Sequence, residues 1–148
     1  MDKNITPKVG VGVIVFRDID GKPHVMMHQR RGEHAEGYWG TGGGHLEVGE
    51  SLQAGALREL REEAGEDLAV GDVKLIGIVN FTEMKPKHFV DITFSCAWVS
   101  GEPTNSSPEE TTDWQWVPLD NLPKPLFPPV IRQLELLRTG QAMSDSAF

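Results

Sequence analysis

Residues 44–66 read GHLEVGESLQAGALRELREEAGE, and within them Glu59, Glu62 and Glu63 follow the spacing i, i+3, i+4. On a helix, that spacing sets three negative charges side by side. Like charges so placed cost about a few tenths of a kcal/mol per pair unless something neutralises them. A hard divalent cation such as Mg²⁺ would do so, because it prefers oxygen ligands. The same stretch also carries Gly44, Glu50, Arg58 and Gly65.

The competing reading is a solvated helix face, which is what charge runs on helices usually are. Helical geometry separates the two in part. Ser51 is suited to cap a helix over the following LQAGALRELREEAG, and Gly65 to close it in a left-handed conformation. Leu52, Ala56, Leu57, Leu60 and Ala64 form the apolar stripe. At about 100° per residue, Glu59 and Glu63 fall on the shoulder of that stripe, with Arg61 nearer the solvent side. Acids at the edge of a core are poor solubilisers and good ligands.

Other elements must hold this helix in place. Residues 8–16 (KVGVGVIVF) alternate and are rich in Val, so they predict a strand. DIDGKP, from Asp18 to Pro23, predicts a turn, and residues 24–29 the returning strand. Gly40–Gly44 holds four glycines in five residues, which implies unusual dihedrals or a close approach to something. Residues 73–83 and 88–99 predict two more strands, 100–112 a polar loop, 113–117 a short Trp-rich strand, and about 129–139 a last helix. The tail after Gly140 is expected to be loose. Together these elements predict an α/β fold with a sheet packed between helices.

The chain of 148 residues fits one domain, 1–148, with its core at about 8–139. A net charge of −8 argues against a general binder of nucleic-acid polymers or anionic membranes. It leaves room for a small polyanion held by a metal bridge and one or two arginines. No apolar run reaches the roughly 20 residues of a membrane span. Cys96, the single cysteine, lies in an apolar strand and excludes an internal disulfide, in keeping with a reducing cytoplasm. His24, His28, His34 and His88 have no zinc-site spacing.

The 44–66 stretch resembles the Nudix box, G-x5-E-x7-R-E-U-x-E-E-x-G-U, where U is bulky and apolar. Gly44, Glu50, Arg58, Glu59, Leu60, Glu62, Glu63 and Gly65 match it, and only Glu66 departs, at the final apolar position, where Leu68 is the candidate substitute. The flanking runs GYWGTGGGHLEVGES, HFVDITF and WQWVPLDNLPKPLF are similar to the small MutT-like branch of nucleoside triphosphate diphosphatases. Thr41-Gly42 stands where that branch usually has Leu-Pro, which implies a more flexible loop.

The resemblance implies a Nudix-type α/β/α sandwich with a mixed sheet, and hydrolysis of a nucleoside diphosphate linked to a moiety X. It implies Mg²⁺, or Mn²⁺, held by Glu59, Glu62, Glu63 and the Gly44 carbonyl, with Glu59 a candidate base. Arg58 and Glu50 would be the supporting pair of the box. Glu109 or Glu110 is a second base or ligand candidate, against a solvated loop acid. Arg30, ahead of Arg31, is placed to contact phosphate. His45 either contacts substrate or packs the loop. The partner is then a small nucleotide, and a homodimer is a family expectation.

Specificity lies outside the box. Trp39, Phe81 and Phe127 could stack on a base or simply pack the core. Branches that read the base with paired aspartates after Trp-Pro would place them near Pro129-Val130, where this chain reads LFPPV. A strict oxidised-purine reader of that kind is therefore disfavoured. A nucleotide sugar, dinucleotide, pterin triphosphate or prenyl diphosphate remains as an alternative substrate, and a non-catalytic nucleotide-binding module as an alternative class.

Overall fold

The structure, a computed structural model, describes residues 5–32 and 35–145. His34 lies outside the described residues, as do the ends of the expected 1–148 domain.

The strands are β1 (Lys8–Ile19), β2 (Lys22–Gln29), β3 (Trp39–Gly40), β4 (Gly44–His45), β5 (Ala69–Val70), β6 (Lys74–Phe81), β7 (Phe89–Ser100), β8 (Gln115–Pro118) and β9 (Met143–Asp145). The helices are α1 (Leu52–Ala64) and α2 (Pro128–Thr139). The sheet runs β3-β2-β1-β7-β6-β9, with β4 against β1, β5 against β7 and β8 against β2. It is mixed, because β1 pairs parallel to β7, and β6 to β9, within antiparallel neighbours.

The alternation along β1 sets the two faces. Val11, Val13 and Val15 point into one apolar cluster with Ala56, Leu60 and Ala64 of α1. Ile14 points the other way, into a cluster with Val25, Met27 and Val130 of α2. The sheet is therefore buried on both sides, and the expected α/β/α sandwich is what forms. The β1–β2 hairpin turns at Asp20 and Gly21, whose φ values of 53° and 77° suit the tight turn that matches strand twist.

Several expectations need correction. β1 continues to Ile19, beyond residue 16, because Arg17, Asp18 and Ile19 pair with β2. The segment after Gly140 is not loose as far as Asp145: Met143–Asp145 adds to the β6 edge, and Asn80 Nδ2 donates to Asp145 Oδ1 at 2.9 Å. Gly65 does take a positive φ of 84°, but its ψ of 176° is extended, so α1 does not end in a left-handed helical residue. Leu52 is exposed, and Gly55 takes the buried place at the start of the stripe. Leu68 packs on the α1-side cluster while Glu66 is exposed, so the apolar position missing from the box is filled two residues later.

Ile14 is fully buried at the centre of the α2-side cluster. Ile14→Ala is expected to cost about 2–5 kcal/mol, read as a lower denaturation midpoint with an unchanged slope.

Candidate functional site

Ser51 caps α1 through its hydroxyl, which accepts from Ala54 N at 3.1 Å. The helix so started aims Arg58 back at the loop in front of it. Arg58 Nε and Nη2 donate to the two carboxylate oxygens of Glu50 at 3.0 and 2.7 Å. Nη2 also reaches the His45 carbonyl at 3.0 Å, and Nη1 reaches Glu59 at 2.9 Å and Glu62 at 3.3 Å. Glu50 in turn accepts from Glu47 N at 2.7 Å. Held by these donors, the Glu50 carboxyl falls to about 2, with the Arg58 hydrogen bonds the main cause.

This fork pins β4 over the helix. Gly44 lies so close to α1 that a Cβ there would collide with the Glu59 carboxyl. Gly43 N donates to Glu63 at 2.7 Å. Glu63 is thereby drawn under the glycine loop, and burial pushes its carboxyl up to about 7, against the pull of the Gly43 hydrogen bond. Trp114, just before β8, closes this corner: its indole N–H donates to the Glu63 carbonyl at 3.1 Å.

Above the loop opens a cleft of about 560 Å³. Its walls include Arg30, Gly42–Gly44, His45, Glu63, Glu110 and Phe127. Arg30, at the end of β2, lies over the Phe127 ring at 4.3 Å, and burial lowers its pKa while Glu63 and Glu110 raise it. Arg31 also borders the cleft, with its guanidinium donating to the Pro108 carbonyl at 2.6 Å.

The cleft thus gathers Arg30, His45, Phe127, Glu63 and Gly44. Glu59 sits behind Gly44, and Glu62 is the most exposed of the three helix acids, at 57% of its side chain. Among the described residues, no three His, Cys, Asp or Glu side chains come together in a group that could by itself hold a metal ion. Two candidates stand elsewhere. Trp39 packs against the α2-side core and is absent from the cleft wall, because β3 pairs its backbone with β2 and turns it to that cluster. Glu109 points to solvent; the turn at Ser107, whose carbonyl accepts from Thr111 N at 3.0 Å, brings Glu110 to the cleft in its place. Phe81 reaches the cleft edge but is 1% exposed, so most of its ring is core.

Three residues escaped the sequence reading. Trp114 gave no signal beyond its aromatic character. Asp91, a lone acid in the apolar strand FVDITF, and His28, in the apolar strand HVMMHQ, were the visible irregularities. His28 is 5% exposed, stacks on Trp114 with ring centres 3.8 Å apart, and leaves Nδ1 without a partner. Burial, aided by the Arg30 charge, lowers its pKa to about 4.

Comparison with known proteins gives the family. The NUDIX domain family matches residues 6–137, and the chain belongs to that family. It is 33% identical over 100 residues to the oxidized purine nucleoside triphosphate hydrolase of Mus musculus, an alignment covering 67% of this chain and 61% of that protein. It is 27% identical over 123 residues to an ADP-ribose pyrophosphatase of Methanocaldococcus jannaschii, covering 82% of this chain and 68% of that one. The solved MutT NUDIX hydrolase of Burkholderia pseudomallei superimposes with a TM-score of 0.78 at 28% identity, over 89% of this chain and 98% of that one. The chain thus spans less than two thirds of the mouse relative's length.

The depressed histidine has a consequence for acid stability. The unfolded chain takes up the His28 proton near 6.5, whereas the folded state refuses it down to about 4. Stability is therefore lost as pH falls through that window, by up to about 3 kcal/mol. Denaturant titrations of wild type and His28→Phe, compared between pH 7 and pH 4, are expected to show that extra loss in wild type alone.

Proposed function

We propose that this protein is a metal-dependent pyrophosphohydrolase acting on a nucleoside diphosphate linked to X. The substrate we favour is a nucleoside or deoxynucleoside triphosphate, normal or oxidised, cleaved to the monophosphate and pyrophosphate. The observation that carries this reading is the cleft in which the acid-bearing helix and its glycine loop face Arg30. Family membership and the resemblance to a triphosphate hydrolase support it. In this reading the protein works in the reducing cytoplasm, where the lone buried Cys96 stays a thiol.

The donors suit a hard divalent cation. Glu59, Glu62, Glu63 and the Gly44 carbonyl offer oxygen alone. Burial, and behind it the charges of Glu59 and Glu62, disfavour a charged Glu63, and a bound cation would oppose that push. Mg²⁺ seldom asks for an all-protein cage; it keeps waters and shares its shell with one or two carboxylates and substrate phosphates. The three acids do not form a complete group by themselves, so water and substrate phosphates would have to fill the shell. When bound, Mg²⁺ or Mn²⁺ would neutralise phosphate oxygens and lower the pKa of water.

The chain's own residues supply the rest. Arg30 can grip phosphate oxygens bidentately, and the Phe127 ring lies against its guanidinium. Glu59, or Glu110 from the opposite wall, can accept the proton of the attacking water. Arg58 and Glu50 position the loop and touch no reacting atom. His45 on the rim is placed to meet the substrate.

A diphosphate such as ADP-ribose is the second reading, favoured by the likeness to the archaeal pyrophosphatase. Identifying the products over a panel of triphosphates and nucleotide sugars separates the two: a triphosphate gives the monophosphate and pyrophosphate, and ADP-ribose gives AMP and ribose 5-phosphate. Glu62→Gln and Glu63→Gln are each expected to lower kcat by about 10²-fold or more with melting temperature retained, and chelation to abolish turnover. Full activity of either variant would sink the assignment of the acids.

A further inference from the structure

The segment between β7 and β8 is clamped near both ends to the last turn of α1. Thr104 N donates to the Ala64 carbonyl at 2.8 Å, and the Trp114 indole N–H to the Glu63 carbonyl at 3.1 Å. The middle of the segment is tied to the end of β2 instead. Arg30 bridges to Thr111, Arg31 N donates to the Glu110 carbonyl at 2.7 Å, and the Arg31 guanidinium donates to the Pro108 carbonyl at 2.6 Å. One segment therefore spans from the acid-bearing helix to the strand end that carries Arg30.

Asn105 is the side chain that braces this span. Its Oδ1 accepts from Ser107 N at 2.9 Å and from the Thr111 hydroxyl at 3.3 Å. Its Nδ2 donates to the Thr111 carbonyl at 2.9 Å and reaches Asp113 Oδ1 at 3.5 Å. Both ends of the amide are used, and they join Ser107 to Thr111, the two ends of the turn that carries Glu110. Inside that turn, Glu110 N and Thr111 N both donate to the Ser107 carbonyl, at 2.9 and 3.0 Å. Those bonds give the turn its shape. The bonds to β2 place it on one side. Asn105 places it on the other, because its backbone follows directly on Thr104 at the end of α1.

The consequence falls at Arg30. Its guanidinium feels two carboxylates, Glu63 from α1 and Glu110 from the braced turn. A reacting group displaced by about 1 Å can cost on the order of 10²-fold in rate. An exposed glutamate on an unbraced loop would not keep that tolerance. Glu59, the other candidate acceptor, is already held by Arg58 at 2.9 Å.

We propose that Asn105 is a positioning residue for hydrolysis, which fixes the Glu110 turn against α1 so that its carboxylate can take the proton of the attacking water. The proposal rests on the hydrolase reading given above. As the water oxygen bonds to phosphorus, the anhydride P–O bond breaks, its electron pair leaves with the departing group, and the water's proton passes to Glu110. Asn105 itself touches no reacting atom.

The test is a double-variant cycle on kcat and KM, with dGTP and with ADP-ribose in Mg²⁺, using Glu110→Gln, Asn105→Ala and both together. Thermal melts check folding, and amide hydrogen exchange by NMR reads Glu110 and Thr111. Glu110→Gln is expected to lower kcat by about 10²-fold. Asn105→Ala should lower kcat by about ten-fold or more with KM little changed, since it removes placement and not binding. Added to Glu110→Gln it should lower kcat no further, because the two residues act as a unit. Thr111→Val, which removes one bond to Asn105, should act in the same direction and carries the cycle if Asn105→Ala does not fold. Losses that add in the double variant, or full kcat in a folded single variant, would overturn the proposal and leave the hydrolase reading intact. Absence of turnover on both substrates by wild type would instead sink the hydrolase reading. Exchange then decides: faster exchange at Glu110 and Thr111 in Asn105→Ala upholds its hold on the turn, and unchanged exchange overturns it.

Discussion

The guanidinium of Arg58 is the joint on which the site depends. It ties the Glu50 carboxylate, the His45 carbonyl, Glu59 and Glu62 to one planar fork. Together with the Gly43–Glu63 hydrogen bond, it fixes the distance of the glycine loop from α1. A lysine offers a point charge and could not hold two parallel bonds to Glu50 while also reaching a carbonyl. The fork also screens acids that would repel one another on a bare helix. Glu63 escapes this screening: it turns away under the loop to the Gly43 amide and is the acid left most strongly perturbed.

The second constraint is the asymmetry of β1. Its valines at 11, 13 and 15 anchor the sheet on α1, which fixes the height of the carboxylates. On the other face, Gly10 and Gly12 make room for the Asp91 carboxylate and the Gly42–Gly43 backbone, and Ile14 begins the α2-side core. One strand therefore builds a packed core on one side and a cleft floor on the other. α2 and the segment before it close the far wall through Phe127, Pro129 and Val130.

Local rules are broken where the cleft is formed. His28 and Asp91 sit in strands whose neighbours are apolar, and Glu63 is buried beside two like charges. Each lowers stability, and all three border the same cleft. Conflicts between local preference and tertiary position that gather at one place are the mark of a site rather than of a poorly packed core.

The sequence by itself determined the covalent spacings. The helix that carries the acids and the main strands were legible, because helical and strand periods project directly from residue order, while the Arg58–Glu50 pair came only from the resemblance to the box. The placing of Glu59 and Glu63 at the edge of the core was legible for the same reason, as their exposures agree with the 100° rotation. Tertiary structure alone decided which distant residues share the cleft. Trp39 and Phe127 look alike in sequence, yet the pairing of β3 turns one into core and the opposite wall keeps the other at the cleft. Glu109 and Glu110 are adjacent, and a single turn chooses between them. The two-residue strands and the final β9 pairing were invisible, because pairings so short carry no period. Asp91 meets Gly10 only through a parallel register spanning some 80 residues, a contact that no local pattern encodes.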